Sequence, residues 1–236
     1  MPFSEQTFRF LVENRQHNSR EWYHAHKTEY QQYVLAPLME LVEQLRPTVL
    51  SIDPQLIAEP KVGKSISRIY RDTRYTKDKS LYRDVIWTAF SRPRTERISR
   101  PGLVFEASPD GFRYGVGYYE ASTQTMQAMR TLILQSDPAF KRADRAYRKQ
   151  DVFTMQGKSY KRPRFTEQRP QECEWLNRRN ISFMHDSRDF ARLYAPDLHE
   201  QIAQGFQLLA PIYAFFVSVE EQRQNEQMQK LFAQGI

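Results

Sequence analysis

The apolar pattern predicts an α+β domain: a central, mostly antiparallel sheet with helices from both chain ends packed on it. Three observations carry this. Helix-spaced apolar residues run from Ser4 to Asp53, alternating segments punctuated by turn residues fill the middle, and a long helical stripe closes the chain from Pro196. No internal repeat, low-complexity tract or linker-like stretch interrupts the 236 residues, so one domain over 1–236 is expected.

Ser4 is placed to cap a first helix, with Phe8, Leu11 and Val12 on one face. Ser19 caps a second, carrying Trp22, Tyr23, Tyr30, Tyr33 and Val34, and Leu38, Leu41, Val42 and Leu45 extend the stripe. Pro37 predicts a kink or a fresh start, and Pro47 and Asp53-Pro54 are expected to close the helical region. Residues 66–71 read as a strand. So do residues 82–90, with Val85, Trp87 and Ala89 alternating against Ile86, Thr88 and Phe90. Ser108-Pro-Asp-Gly111 predicts a hairpin turn between 103–107 and 112–119, because Pro presets φ and Gly accepts φ > 0. Helices are expected after Ser122, from Asp137-Pro138 through Tyr147, and over 173–177. Short edge strands are expected at 153–155 and 160–162, and a last strand at 181–184. The closing helix carries Leu198, Ile202, Phe206, Leu209, Ile212 and Phe216, with a bend expected at Pro211.

The net charge of +7 is uneven. Residues 61–104 hold 12 Lys/Arg against 4 Asp/Glu, residues 141–169 hold 10 against 3, and the remainder is acidic. Meeting in space, the two basic segments would form one positive face, the footprint of an anionic partner. The single cysteine, Cys173, excludes an internal disulfide and a four-cysteine zinc site and fits a reducing compartment. The N-terminus lacks the layout of a signal peptide, and no uninterrupted apolar run reaches the ~18 residues that span a bilayer, so a cytoplasmic protein without a membrane partner is expected.

The richest stretch is Arg68-Ile-Tyr-Arg-Asp-Thr-Arg-Tyr-Thr-Lys-Asp-Lys-Ser-Leu-Tyr82, with five basic residues, two Asp and three Tyr in fifteen positions. Strand alternation puts Arg68, Tyr70 and Asp72 on one side and Ser67, Ile69 and Arg71 on the other. A carboxylate flanked by Arg71 and Arg74 stays ionised and fixes guanidinium planes, and oriented guanidinium forks grip phosphate or carboxylate. Arg68, Arg71 and Arg74 are therefore the candidate ligand residues, with Lys77, Lys79 and Tyr82 completing the cradle. The same pattern also describes a structural ion-pair network tying the loop to the sheet.

Arg68-x-x-Arg71-Asp72-x-Arg74-Tyr75-x-x-Asp78-Lys79-x-x-Tyr82 resembles the signature of the uncharacterised family known as domain of unknown function 2461. Asn18-Ser-Arg-Glu-Trp22, Lys27, Pro101-Gly102, Lys161-Arg162-Pro163 and Ile181-Ser-Phe183 resemble its other landmarks, so the likeness covers nearly the whole chain. The family usually has Phe at the position of Tyr75 and commonly Pro at that of Leu81. The resemblance implies one α+β domain of this length with the basic signature as its hallmark, and carries over no activity.

Other motifs are weaker. His24 and His26 fall on different helix faces, and His17, His185 and His199 have no ligand-spaced partners, so no metal site is expected. Cys173 lies between Glu172 and Glu174, whose charge disfavours a thiolate. No nucleotide- or cofactor-binding glycine motif is present. Gly115 and Gly117 sit in a predicted strand, where they mark close backbone approach or a bulge. Glu106 and Glu120 form a weak candidate carboxylate pair. Lys158 to Phe165 interleaves cations with aromatics, which makes Lys161 and Arg162 candidate contacts to phosphates; charge that protects an edge strand explains them too.

Three functional classes follow. The favoured one is a binding domain for a phosphate-bearing or other anionic ligand, nucleotide or nucleic acid. The second is an enzyme acting on a small phosphorylated or acidic substrate, with Asp72 or Tyr82 moving the proton. The third is a structural protein in which the signature is an ion-pair brace. The sequence leaves open whether chemistry follows binding.

Overall fold

The computed structural model describes residues 3–74, 76–93 and 100–233. The helices are α1 (Glu5–His17), α2 (Arg20–Ala25), α3 (Lys27–Glu29), α4 (Ala36–Ile52), α5 (Thr123–Leu134), α6 (Pro138–Arg148), α7 (Pro170–Leu176), α8 (Phe190–Leu193) and α9 (Leu198–Ala233), with a π-helical turn over Tyr30–Leu35. The strands are β1 (Ile86–Ser91), β2 (Gly102–Ser108), β3 (Gly111–Gly117), β4 (Thr154–Gln156) and β5 (Ser182–Ser187). They form one antiparallel sheet in the order β1-β2-β3-β5-β4, with helices packed around it, which makes the fold α+β. The chain divides into two compact units, residues 1–90, 104–114 and 186–204, and residues 91–103, 115–185 and 205–236.

In the first unit, α1 starts where Ser4 predicts it, and the Ser4 backbone N–H donates to Thr7 Oγ1. Ser19 Oγ accepts from the Trp22 N–H and opens α2. Leu11, Val34, Val42, Leu45 and Val49 are fully buried, so the helical stripe is the core face. Pro37 stands in the first turn of α4, a fresh start after the π-helical turn, where a missing N–H costs nothing. Pro47 does not close the helix as expected: it lies exposed inside α4, between buried Leu45 and Val49, whose packing carries the helix on to Ile52.

The strand expected at 66–71 is not a regular one. It pairs through isolated bridges, Ile66 with Thr88 and Tyr70 with Tyr82. Four residues separate the first members and six the second, so the register slips and the ladder breaks between them. For the same reason β1 begins at Ile86 and not at Tyr82. Alternation survives the slip: Ser67 and Ile69 are buried while Arg68, Tyr70 and Asp72 are exposed, and Ile86, Thr88 and Phe90 point inward.

The hairpin of β2 and β3 forms as the turn residues predict. Gly111 has φ 138°, and a Cβ there would collide with the Ser187 carbonyl oxygen.

In the second unit, Ser122 Oγ caps α5, and Asp137 caps α6 through the Ala139 and Phe140 N–H groups. Trp175 is fully buried among the rings of Phe140, Phe183 and Phe215. Gly115 marks the predicted close approach, since a Cβ would strike the Phe183 carbonyl oxygen. The second short edge strand is absent: residues 160–162 lie outside any strand, with Ser159 making one isolated bridge to Arg178. α7 begins three residues before the predicted start, at Pro170, where proline favours the first turn.

Contrary to the count of uninterrupted apolar residues, α9 is long and apolar enough to cross a membrane, with a mean hydropathy of 1.5. Half of that window is buried inside the protein, and Phe206, Leu209, Ile212, Phe215 and Phe216 are core residues of the second unit.

Gly111→Ala must combine a left-handed φ with a backbone collision. It should destabilise the protein by more than about 2 kcal/mol, read as a lower urea midpoint at unchanged m-value.

Candidate functional site

Arg68, Arg71, Arg74, Lys77, Lys79 and Tyr82 all lie in the first unit; Arg68 stands two residues before the Tyr70–Tyr82 bridge and the others on the loop that the bridge closes. The loop is closed by backbone bonds from Arg71 N–H to Leu81 O, 2.8 Å, and from Arg83 N–H to Ile69 O, 2.9 Å. Tyr75, within the signature, falls outside the described residues.

Two acids organise the cations. Asp78 Oδ2 lies 3.1 Å from Arg71 Nη1 and 3.1 Å from Arg15 Nη2, so one carboxylate joins the loop to α1. Arg15 continues to Asp84, 3.3 Å away, at the far foot of the loop. Asp78 also accepts from the Ser80 N–H, and that bond, with Arg71 and Arg15 nearby, holds its carboxyl below the usual range. Asn18, the left-handed C-cap of α1 with φ 49°, accepts from the Leu81 N–H at 2.6 Å. Asp72 pairs with Arg74 in bidentate fashion, 2.9 and 2.7 Å. The Arg74 guanidinium drives the Asp72 carboxyl far below the usual carboxylate range, so Asp72 is an orienting anion and a poor proton acceptor.

The remaining cations are less committed. Lys79 Nζ donates to the Thr73 carbonyl at 2.7 Å. Arg68 and Lys77 are exposed and make no hydrogen bond or ion pair among the described residues, although the Arg68 charge still acts on Asp72. Arg71 is about three-quarters buried, with its side chain 22% exposed, and its Nε is buried without an acceptor.

Tyr82 lies beneath the loop, at 0% exposure. Its ring stands 5.2 Å from Tyr23 and 5.1 Å from Tyr70, and burial pushes its hydroxyl pKa well up. A hydrogen bond with Tyr70 adds to that shift, and full burial places Tyr82 in the floor and off the open face.

Lys161 and Arg162 belong to the second unit and are exposed. The aromatics around them are engaged within that unit. Arg164 lies 4.3 Å over the Tyr160 ring, and the buried Arg130 faces both Tyr160 and Phe165. Asn177 clamps the Arg164 and Phe165 N–H groups. Those rings therefore serve local packing.

Glu106 is half-buried, and burial raises its carboxyl pKa. It lines an open cavity of about 470 Å³ with Arg113 and Asp186, which are ion-paired at 3.2 Å. A second cavity of about 490 Å³ is lined by Phe3, Arg9, Tyr194 and their neighbours. Neither involves residues 68–82, whose cations stand on an exposed surface. Trp22, expected in the core, is half-buried and sandwiched between His17 and His26, at 4.9 and 3.9 Å. Cys173 is half-buried and donates to Gln168 O. Among the described residues no cluster of three or more His, Cys, Asp or Glu could hold a metal ion.

The signature is thus a braced loop with its exposed cations on one segment. Residues 6–215 match the family described as conserved hypothetical protein (DUF2461). The chain belongs to this family. No curated protein matches it. As a DUF2461 protein it carries the hallmark in a loop tied to α1 by Arg15, a residue with no distinguishing signal in the sequence. Asn18, which the family landmark around 18–22 contains, was the available clue that α1 meets the loop.

Asp78 has a lowered pKa in the folded state, so its contribution to stability is present above the unfolded carboxyl pKa of about 3.9 and is lost as pH falls through the folded value. Asp78→Asn should lower the thermal midpoint at pH 7 and flatten its fall as the pH drops below about 5, toward and past the lowered folded-state value. Thermal melts across that range check this.

Proposed function

We propose that the 68–83 segment binds a phosphate-bearing or other anionic ligand. The observation that carries the reading is the division of labour among its cations. The segment holds six Lys/Arg against two Asp, and both acids are committed, Asp72 to Arg74 and Asp78 to Arg71 and Arg15. Among the described residues, Arg68 and Lys77 are exposed without an ion-pair partner, and the Arg71 guanidinium is oriented by one nitrogen and has an unmet donor at another. Fixed guanidinium donors beside uncommitted cations suit phosphate oxygens.

The brace reading and the binding reading divide by residue. Arg15, Asp78 and Asn18 hold the loop, and Arg68, Lys77 and Arg71 face the ligand. The open surface favours binding over enclosed chemistry, since a catalytic step of this kind draws its strength from a water-excluded site.

Titration calorimetry with inorganic phosphate and with a single-stranded oligonucleotide tests this. Arg68→Ala combined with Lys77→Ala should weaken binding at least about tenfold and shift stability by no more than roughly 0.5 kcal/mol. A polymer partner requires log affinity to fall steeply with log salt, and a small ligand gives a shallow dependence. Absence of binding to both probes, or full affinity in the double variant, sinks the reading.

A further inference from the structure

Away from the basic loop, the first unit holds the open cavity of about 470 Å³ that Glu106 lines. Its walls come from β2, β3 and the end of β5, which are neighbours in the sheet. The two-residue turn at Pro109-Asp110 sets Glu106 beside Arg113. Gly111 has no side chain, so the Ser187 carbonyl comes up against β3, and Asp186 and Arg188 reach the same space. Charge in this cavity is only partly matched. Arg113 Nε lies 3.2 Å from Asp186 Oδ1, a pair that ties β3 to β5. Glu106 is half-buried and makes no hydrogen bond or ion pair among the described residues. Burial and the Asp186 charge disfavour its ionised form, against the pull of Arg113. Arg188 is exposed, and it too makes no hydrogen bond or ion pair among the described residues. Two opposite charges thus line one cavity without pairing with each other.

A half-buried carboxylate with no donor has lost hydration that a cation in the cavity would restore. Asp110, exposed on the turn, is already hydrated and gains less from such a partner. A lone amine would satisfy Glu106 and leave Arg188 unmatched, while an exposed guanidinium offers its fork of donors to a carboxylate. We infer that this cavity binds a small zwitterion of the amino-acid class, its ammonium against Glu106 and its carboxylate on Arg188. The Arg113–Asp186 pair holds together the strands that present the two groups. None of these residues belongs to the 68–83 segment, so the site is separate from the anion-binding surface proposed above.

Titration calorimetry of the full chain with glycine, β-alanine, 4-aminobutyrate and 6-aminohexanoate tests this, because the series widens the gap between the two charges step by step. At least one of the four should bind with a Kd below about 1 mM. The tightest should bind at least about tenfold more strongly than the plain amine and the plain acid of its own chain length, since each lacks one charge. Glu106→Gln and Arg188→Gln should each weaken it at least about tenfold. Unliganded Glu106→Gln should melt no lower than the parent at pH 7, because it removes a charge that burial disfavours. The inference is overturned if none of the four reaches a Kd of about 1 mM, if an amine or acid binds as tightly as its zwitterion, or if either variant keeps full affinity. A lower melting temperature for Glu106→Gln overturns it as well, since that shows the carboxylate already paired.

Discussion

The Asp78 carboxylate sits between two guanidinium groups from distant parts of the chain, Arg15 on α1 and Arg71 on the loop. Half-exposed ion pairs are individually weak, since each must hold a long side chain still against solvent. Shared partners change the balance. Arg15 is already ordered by Asp84, and Asp78 by the Ser80 N–H, so each further contact fixes less that was mobile. The bond from Leu81 N–H to Asn18 adds a backbone tie at the point where α1 ends in a left-handed residue. Remove the carboxylate and the loop keeps only the Asn18 bond and the Arg15–Asp84 pair to α1, while two cations are left facing each other. The orientation of the Arg71 guanidinium depends on this one group.

The brace also fixes how much positive charge stays available. Asp72 is spent on Arg74 in a two-pronged pair, and Asp78 is divided between two arginines. Neither can serve the other cations, and Lys79 is turned inward to a carbonyl. A loop designed only as a clamp would match its charges more evenly. The surplus here is concentrated on the exposed Arg68 and Lys77.

Much of the architecture is legible because periodicity and capping agree. Ser4, Ser19, Ser122 and Asp137 each stand at a helix start, and Pro109 to Gly111 mark the hairpin. What stays hidden depends on pairing that no local pattern records. The slip between the Ile66 and Tyr70 bridges follows from two extra residues on the opposite strand, and the sequence of either strand alone shows no trace of it. Pro47 reads as a stop but is overruled by the buried residues around it. At the site, the density of charge around 68–82 is visible, and so is the pairing of Asp72 with a flanking arginine. Arg15 and Asp84 are not, because their roles exist only once α1 lies against the loop.

The layer under the loop explains why its charge is not cancelled from below. The Tyr23 ring meets those of Tyr30, Tyr70 and Tyr82, and Tyr70 meets Tyr82, edge to face or tilted at 5.1–5.6 Å. Burial pushes the Tyr30 hydroxyl up to about 12 and raises those of Tyr23 and Tyr82 as well. These phenols therefore stay protonated at neutral pH, even with arginines nearby that would favour a phenolate. A floor of carboxylates would have neutralised the loop, and a floor of aliphatic side chains would have offered no hydrogen bonds. Protonated tyrosines give rigidity and polarity without charge, so they leave the positive charge of the loop above them uncancelled.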